Sequence, residues 1–180
     1  HFGLLVGQRM NMTSLGLIGL LMKTSRDAGS ALRSLVDFLH LHSQAAVMTL
    51  SVDGELAMLT YDAFDPGLVA TDQTGDGAVA MMLNVMRSFC GRAFQPTEVS
   101  FAHRSPADIG PFRRHFQAPL YFDAEQYALV FSRDWLDVRL SGADEELQRL
   151  LRKQIDALGT EHSLEFPDQV RSVLRSALMV

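Results

Sequence analysis

At Ala46 the hydrophobic repeat of this chain changes. Upstream, in "AGSALRSLVDFLHL", Leu32, Leu35, Val36 and Leu39 recur at helical spacing and form one stripe. Downstream, "AVMTLSVDGELAMLTYD" alternates apolar and polar residues over two short runs around Asp53-Gly54, a dipeptide whose backbone reaches positive φ cheaply. An apolar set keeps to one face only when its period matches the backbone's, so the first segment must be an amphipathic helix and the second a β-hairpin. Any fold for this chain has to lay a helix beside a sheet.

The remaining segments extend that mixture. The run from Leu15 to Met22 reads as a shorter helix paired with the first, with Gly16 and Gly19 on one side, placed there for close approach or simply tolerated. Residues Asp65 to Gly77, rich in Asp, Gly, Thr and Pro, read as a loop in which Asp76 caps the next helix. That helix, "AVAMMLNVMRSFCG", is apolar through Val79, Met82, Leu83, Met86 and Phe89 and stops at Gly91, so it should be central and largely buried. A strand follows in "TEVSFAHRSP", with Val99, Phe101 and His103 on one face; then a short helix from near Asp108, and two strands in "PLYFDAEQYALVFS". This order, with a hairpin at each end of the strand set, gives an α+β domain whose mostly antiparallel sheet is covered by helices. After Asp144, "DEELQRLLRKQIDALG" carries a Leu147, Leu150, Leu151, Ile155 and Leu158 stripe, and Pro167 can open a last helix. The expected division is residues 1–140 as the α+β domain and 141–180 as C-terminal amphipathic helices.

Composition narrows the function. The 180 residues are 47% hydrophobic, enough for one substantial core. A net charge of -5 argues against this chain gripping a nucleic-acid backbone by itself, because that affinity rests on clustered positive charge. The single cysteine, Cys90, excludes an intrachain disulfide and a Cys-rich zinc site and points to a reducing cytoplasm, with Cys90 as a core filler rather than a nucleophile. The apolar run before Lys23 is too short to span a membrane, which takes about 20 residues. No serine-hydrolase elbow, zinc-protease helix or phosphate loop occurs, and "TGDGA" lacks the context of a phosphate cradle.

Four stretches, "LGLIGLLMKTSRDAGSALRSLVDFL", "EVSFAHRSPADIGPFRRHFQAPLYFDAEQYALVF", "LSGADEELQRLL" and "FPDQVRSVLRSAL", carry a resemblance. In their order and spacing, including the series Phe101, His103, Pro106, Asp108, Phe112, Phe116, Pro119 and Phe122, the chain resembles the N-terminal, arabinose-binding-type effector domain of AraC-family bacterial transcriptional regulators, in the branch of the ornithine-utilisation-type regulators. The resemblance covers nearly the whole chain. It implies a non-enzymatic, cytoplasmic module that senses a small-molecule effector and forms a homodimer, with no cofactor or metal. Promoter DNA would be bound by two helix-turn-helix motifs lying beyond Val180, reached through the "PDQVRSVLRSAL" segment, and leading helices would precede His1. The sequence departs from the family pattern at Tyr127, where Asn is common, and at Arg139, where Pro is.

Candidate sites follow with their plainer alternatives. Met48, Met58, Met81, Met82 and Met86, with Phe89, either fill the core or line an adaptable apolar cavity. Tyr61 and Tyr127 would set hydroxyls at its edge, and His103 either lines it or hydrogen-bonds within the core. The ligand-binding set is therefore Met58, Tyr61, Met82, Met86, Phe89, His103 and Tyr127. The Leu147 to Leu158 stripe is either the dimer face or a surface packed on the domain's own sheet. His40 and His42, about 200° apart on a helix, read as helix-end residues rather than metal ligands, and Arg113-Arg114 as a solvated pair or an anion clamp. Against the regulator reading stands a self-contained small-molecule-binding α+β domain, with or without hydrolytic activity.

Overall fold

The computed structural model describes residues 1–43, 46–63 and 71–157. Helices α1 (Phe2–Arg9), α2 (Leu17–Lys23) and α3 (Ala28–His42) come first, with a 3-10 turn at Met12–Leu15 between the first two. Strands β1 (Ala46–Asp53) and β2 (Leu56–Ala63), helix α4 (Thr71–Cys90), strand β3 (Glu98–Ser100), helix α5 (Gly110–Phe116) and strands β4 (Leu120–Tyr121) and β5 (Tyr127–Ser132) follow. Helix α6 covers 145–157.

The five strands lie in the order β1-β2-β5-β3-β4, antiparallel except for β3 beside β4. The first hairpin is as its alternation predicts: Asp53 pairs Leu56 across Gly54-Glu55, and Gly54 alone takes positive φ, at 55°. The expected second hairpin does not form. β3 inserts between β4 and β5, so β4 becomes a two-residue edge strand whose partner is β3. The mostly antiparallel α+β fold stands with that correction.

Register decides what faces the helices. Met48 pairs Tyr61 and Leu50 pairs Leu59, and these side chains share a face with Ala57, Leu129, Phe131 and Val99. That face carries the core, covered by α3 over β1 and by α4 over β2 and β5. Met58, Thr60 and Val130 occupy the opposite face, where Thr49 and Thr60 share a hydroxyl hydrogen bond of 2.6 Å.

Helix α3 starts where Asp27 accepts from the Ser30 amide at 2.7 Å, an N-cap that satisfies one of the first turn's free donors. Helix α4 begins at Thr71, well before the loop expected from its glycines would end. The reason is tertiary contact. A Cβ at Gly75 would lie 2.2 Å from the Tyr127 ring, and one at Gly7 would lie 2.3 Å from the carbonyl oxygen of Gly77, so α4 is seated against β5 and α1 with no room for side chains. Gly19 serves α2 likewise: its Cβ would lie 1.8 Å from the Met12 carbonyl oxygen. Helix α1 ends under Asn84, whose Nδ2 lies 2.9–3.1 Å from the carbonyl oxygens of Gly7, Gln8 and Met10.

Candidate functional site

Phe2 and Val6 on α1, with Met10 at its C-cap, recur every fourth residue in a stripe beside the Gly3 and Gly7 seam. This stripe, the end of α3, the strand pair β1–β2 and the first half of α4 enclose a cavity of about 480 Å³. Leu39, His42 and Ser43 come from α3 and its end, Met48 and Tyr61 from paired strand positions, and Gln73, Thr74, Gly77, Ala78 and Met81 from one face of α4. Gln73 is fixed by the α1 backbone: the Gly3 amide donates to its Oε1 at 2.8 Å, which leaves its amide NH2 as a donor. Burial pushes the Tyr61 hydroxyl above its ordinary pKa, so it stays protonated at neutral pH. No Asp, Glu, Lys or Arg lines this cavity among the described residues.

Of the residues singled out from sequence, Tyr61 lies in this wall, with Met48 and Met81 of the methionine set. Met58 is on the far face of the sheet, three positions before Tyr61 on β2. Met82 and Met86 are fully buried core on other faces of α4, and Phe89 is half-buried near its C-terminal end. The α1 stripe and Gln73 were not anticipated. The signal in "FGLLVGQRM" was the four-residue spacing of Phe2, Val6 and Met10 next to that of Gly3 and Gly7.

His103 and Tyr127 meet across α4 from the cavity. Asp76, buried inside α4 rather than capping it, lies 2.8 Å from His103 Nε2, while His103 Nδ1 lies 2.8 Å from the Arg104 carbonyl oxygen. A carbonyl only accepts, so Nδ1 carries a proton, and a further proton is shared between Nε2 and Asp76. Burial pulls the His103 pKa down, but the Arg104 carbonyl and the Asp76 carboxylate outweigh it and raise the net value. Desolvation raises Asp76 in turn, against the opposing pull of His103. Phe101, Phe112, Phe122 and Tyr127 surround the imidazole at centroid distances of 5.6–6.5 Å. Both ring nitrogens are engaged within the protein, which makes this pair a strut between α4 and the segment after β3.

The other candidates fall on the surface or in the core. His40, His42, Arg113 and Arg114 are exposed. Cys90 is half-buried, with its thiol pushed up to about 11 by burial, and so stays protonated. Among the described residues, no group of three or more His, Cys, Asp or Glu is placed to hold a metal ion, and no helix is long and apolar enough to cross a membrane. On α6, Leu151 and Ile155 are 8% and 1% exposed and join the domain's own core, whereas Leu147 and Leu150 are 38% and 54% exposed. Leu158 and the final segment with Pro167 lie outside the described residues.

A family model for the arabinose-binding domain of AraC transcription regulators, N-terminal, matches residues 1–140. The chain belongs to this family. The chain is 22% identical over 156 residues to the ornithine utilization regulator of Pseudomonas aeruginosa, an alignment covering 87% of this chain and 46% of that protein. Its fold is that of the transcriptional regulator CdpR from Pseudomonas aeruginosa, with a TM-score of 0.71 at 14% identity over 83% of this chain and 49% of the other. The chain thus spans about half the length of these two regulators.

Proposed function

We propose that this chain is the effector-sensing and dimerising part of a cytoplasmic transcription regulator, with residues 1–140 holding the effector and 141–180 providing the dimer helix and the link to a DNA-binding domain. The observation that carries the reading is the cavity between α1, α4 and the β1–β2 hairpin. Its volume is that of a small-molecule site, and its wall is assembled from four separate parts of the fold, so an occupant can bias how they sit together. A ligand acts only by binding one arrangement of the dimer more tightly than another. Membership of a family of transcription regulators supports this non-enzymatic role, as does the internal engagement of His103.

The same wall supplies the test. A thermal-shift screen against amino acids, polyamines, fatty acids and aromatic acids detects any ligand of the native state, since stabilisation reaches about 2.7 kcal/mol at a hundred times Kd. Ala78→Phe fills the cavity from α4 and should abolish the shift while circular dichroism stays unchanged. A shift that survives this substitution would place the ligand elsewhere and defeat the reading.

Dimerisation rests on the two exposed leucines of α6. Leu150→Glu should convert a sedimenting dimer to monomer at unchanged unfolding temperature, while Leu151→Glu should unfold the domain, because its side chain is in the core. An unaltered dimer in the folded Leu150→Glu variant would remove α6 from the interface.

A further inference from the structure

From the chemistry of the cavity wall, and resting on the reading of that cavity as the effector site, we infer that the effector is an uncharged, predominantly apolar molecule bearing one hydrogen-bond-accepting carbonyl. Three observations converge. First, no described lining residue is a carboxylate, ammonium or guanidinium, and His42 stands at the exposed rim. A zwitterionic amino acid or a polyamine placed here would meet no carboxylate, ammonium or guanidinium among the described lining residues.

Second, uncharged donors line the space: Tyr61 and Gln73, beside the hydroxyls of Ser43 and Thr74. Tyr61 lines the cavity, and its hydroxyl is kept protonated by burial, so it can donate into the space. Tyrosine pairs an apolar ring with a polar tip, which suits a wall position where the ring packs and the hydroxyl meets an occupant. Gln73 adds its NH2, because its Oε1 is occupied by the Gly3 amide. Donors without a positive charge match a carbonyl oxygen, which accepts through two lone pairs.

Third, the apolar remainder is adaptable. Met10, Met48 and Met81 provide unbranched, polarizable side chains that conform to a flexible hydrocarbon. At the packing density of protein interiors, 480 Å³ admits roughly 15–20 non-hydrogen atoms.

The experiment is calorimetric titration of the 180-residue chain with four probes: methyl nonyl ketone, undecane, undecanoate and L-ornithine. The ketone should bind saturably and more tightly than undecanoate, and ornithine should not bind. Tyr61→Phe should weaken the ketone about fivefold to tenfold, the worth of one neutral hydrogen bond, and leave undecane unchanged. Preferential binding of undecanoate or ornithine that Ala78→Phe abolishes would overturn the ligand class and keep the cavity as the site. Silence from the ketone would likewise overturn the class. Ketone binding indifferent to Ala78→Phe would instead overturn the site, and the inference with it.

Discussion

Replacing Gly7 by alanine pits two physical effects of opposite sign against each other. In an exposed helix interior the change stabilises by about 1 kcal/mol, because alanine loses less backbone entropy than glycine. Here the added Cβ would lie 2.3 Å from the Gly77 carbonyl oxygen, 2.7 Å from the Gly77 Cα and 2.8 Å from the Ala80 Cβ. Two of these three atoms belong to the α4 backbone and cannot rotate away. Helix α1 must lift, which strains the Asn84 contacts to its last carbonyls and loosens Leu4, now fully buried. Overpacking against rigid neighbours costs about 3 kcal/mol at the upper end of its usual range, so the net loss should be about 2 kcal/mol. For a domain of this size that lowers Tm by about 4–8 °C. Urea unfolding followed through the single tryptophan, Trp135, measures it directly. A Gly7→Ala protein more stable than the parent would refute the seating of α1 on α4, and with it one wall of the cavity.

Other outcomes follow from the polar contacts. The raised His103 pKa means that its contribution is complete below the unfolded value near 6.5 and is lost as pH climbs through the higher folded value, so stability should fall on the alkaline side. His103→Gln should flatten that decline, and an identical slope in both proteins would remove the pair from the account. Burial pushes Asp27 up, but its hydrogen bonds from Ser30 and Arg26 prevail and hold it down to about 2, so its contribution is present above about pH 4 and is lost as pH falls toward 2. Asp27→Ala should cost about 1 kcal/mol at neutral pH as a lost N-cap, read from the urea midpoint, and little once the parent is acidified.

How much of this was legible depended on whether local pattern and tertiary contact agreed. The period change at Ala46 located α3 and the first hairpin, because each buries one face and needs that periodicity to do so. The start of α4 was hidden because Gly75 and Gly77 are poor helix formers, and only the nearness of Tyr127 and α1 explains them. The position of β4 was equally hidden. Two adjacent strand-like runs read as a hairpin, whereas the return of β5 beside β2 leaves room for β3 between them, a choice made by non-local pairing. Tyr61 was legible as a wall residue from its amphipathic chemistry, but Met58 could be separated from it only by register. The apolar stripe on α6 is legible in the sequence; which of its leucines face inward depends on how α6 docks, through contacts such as Gln148 to Ser25 at 3.1 Å and Arg152 over the Phe38 ring of α3 at 5.3 Å.

The first helix interleaves two sets of positions. Gly3 and Gly7 hold it against α4, and Phe2, Val6 and Met10, displaced by one residue, shape the space beneath. Building the chamber and tuning it are therefore assigned to different residues on adjacent stripes. A library randomised at Phe2, Val6 and Met10 with both glycines and Asn84 held constant would vary the shape of the chamber at little risk to folding, whereas one that also varied the glycines would yield mostly proteins with no chamber to tune.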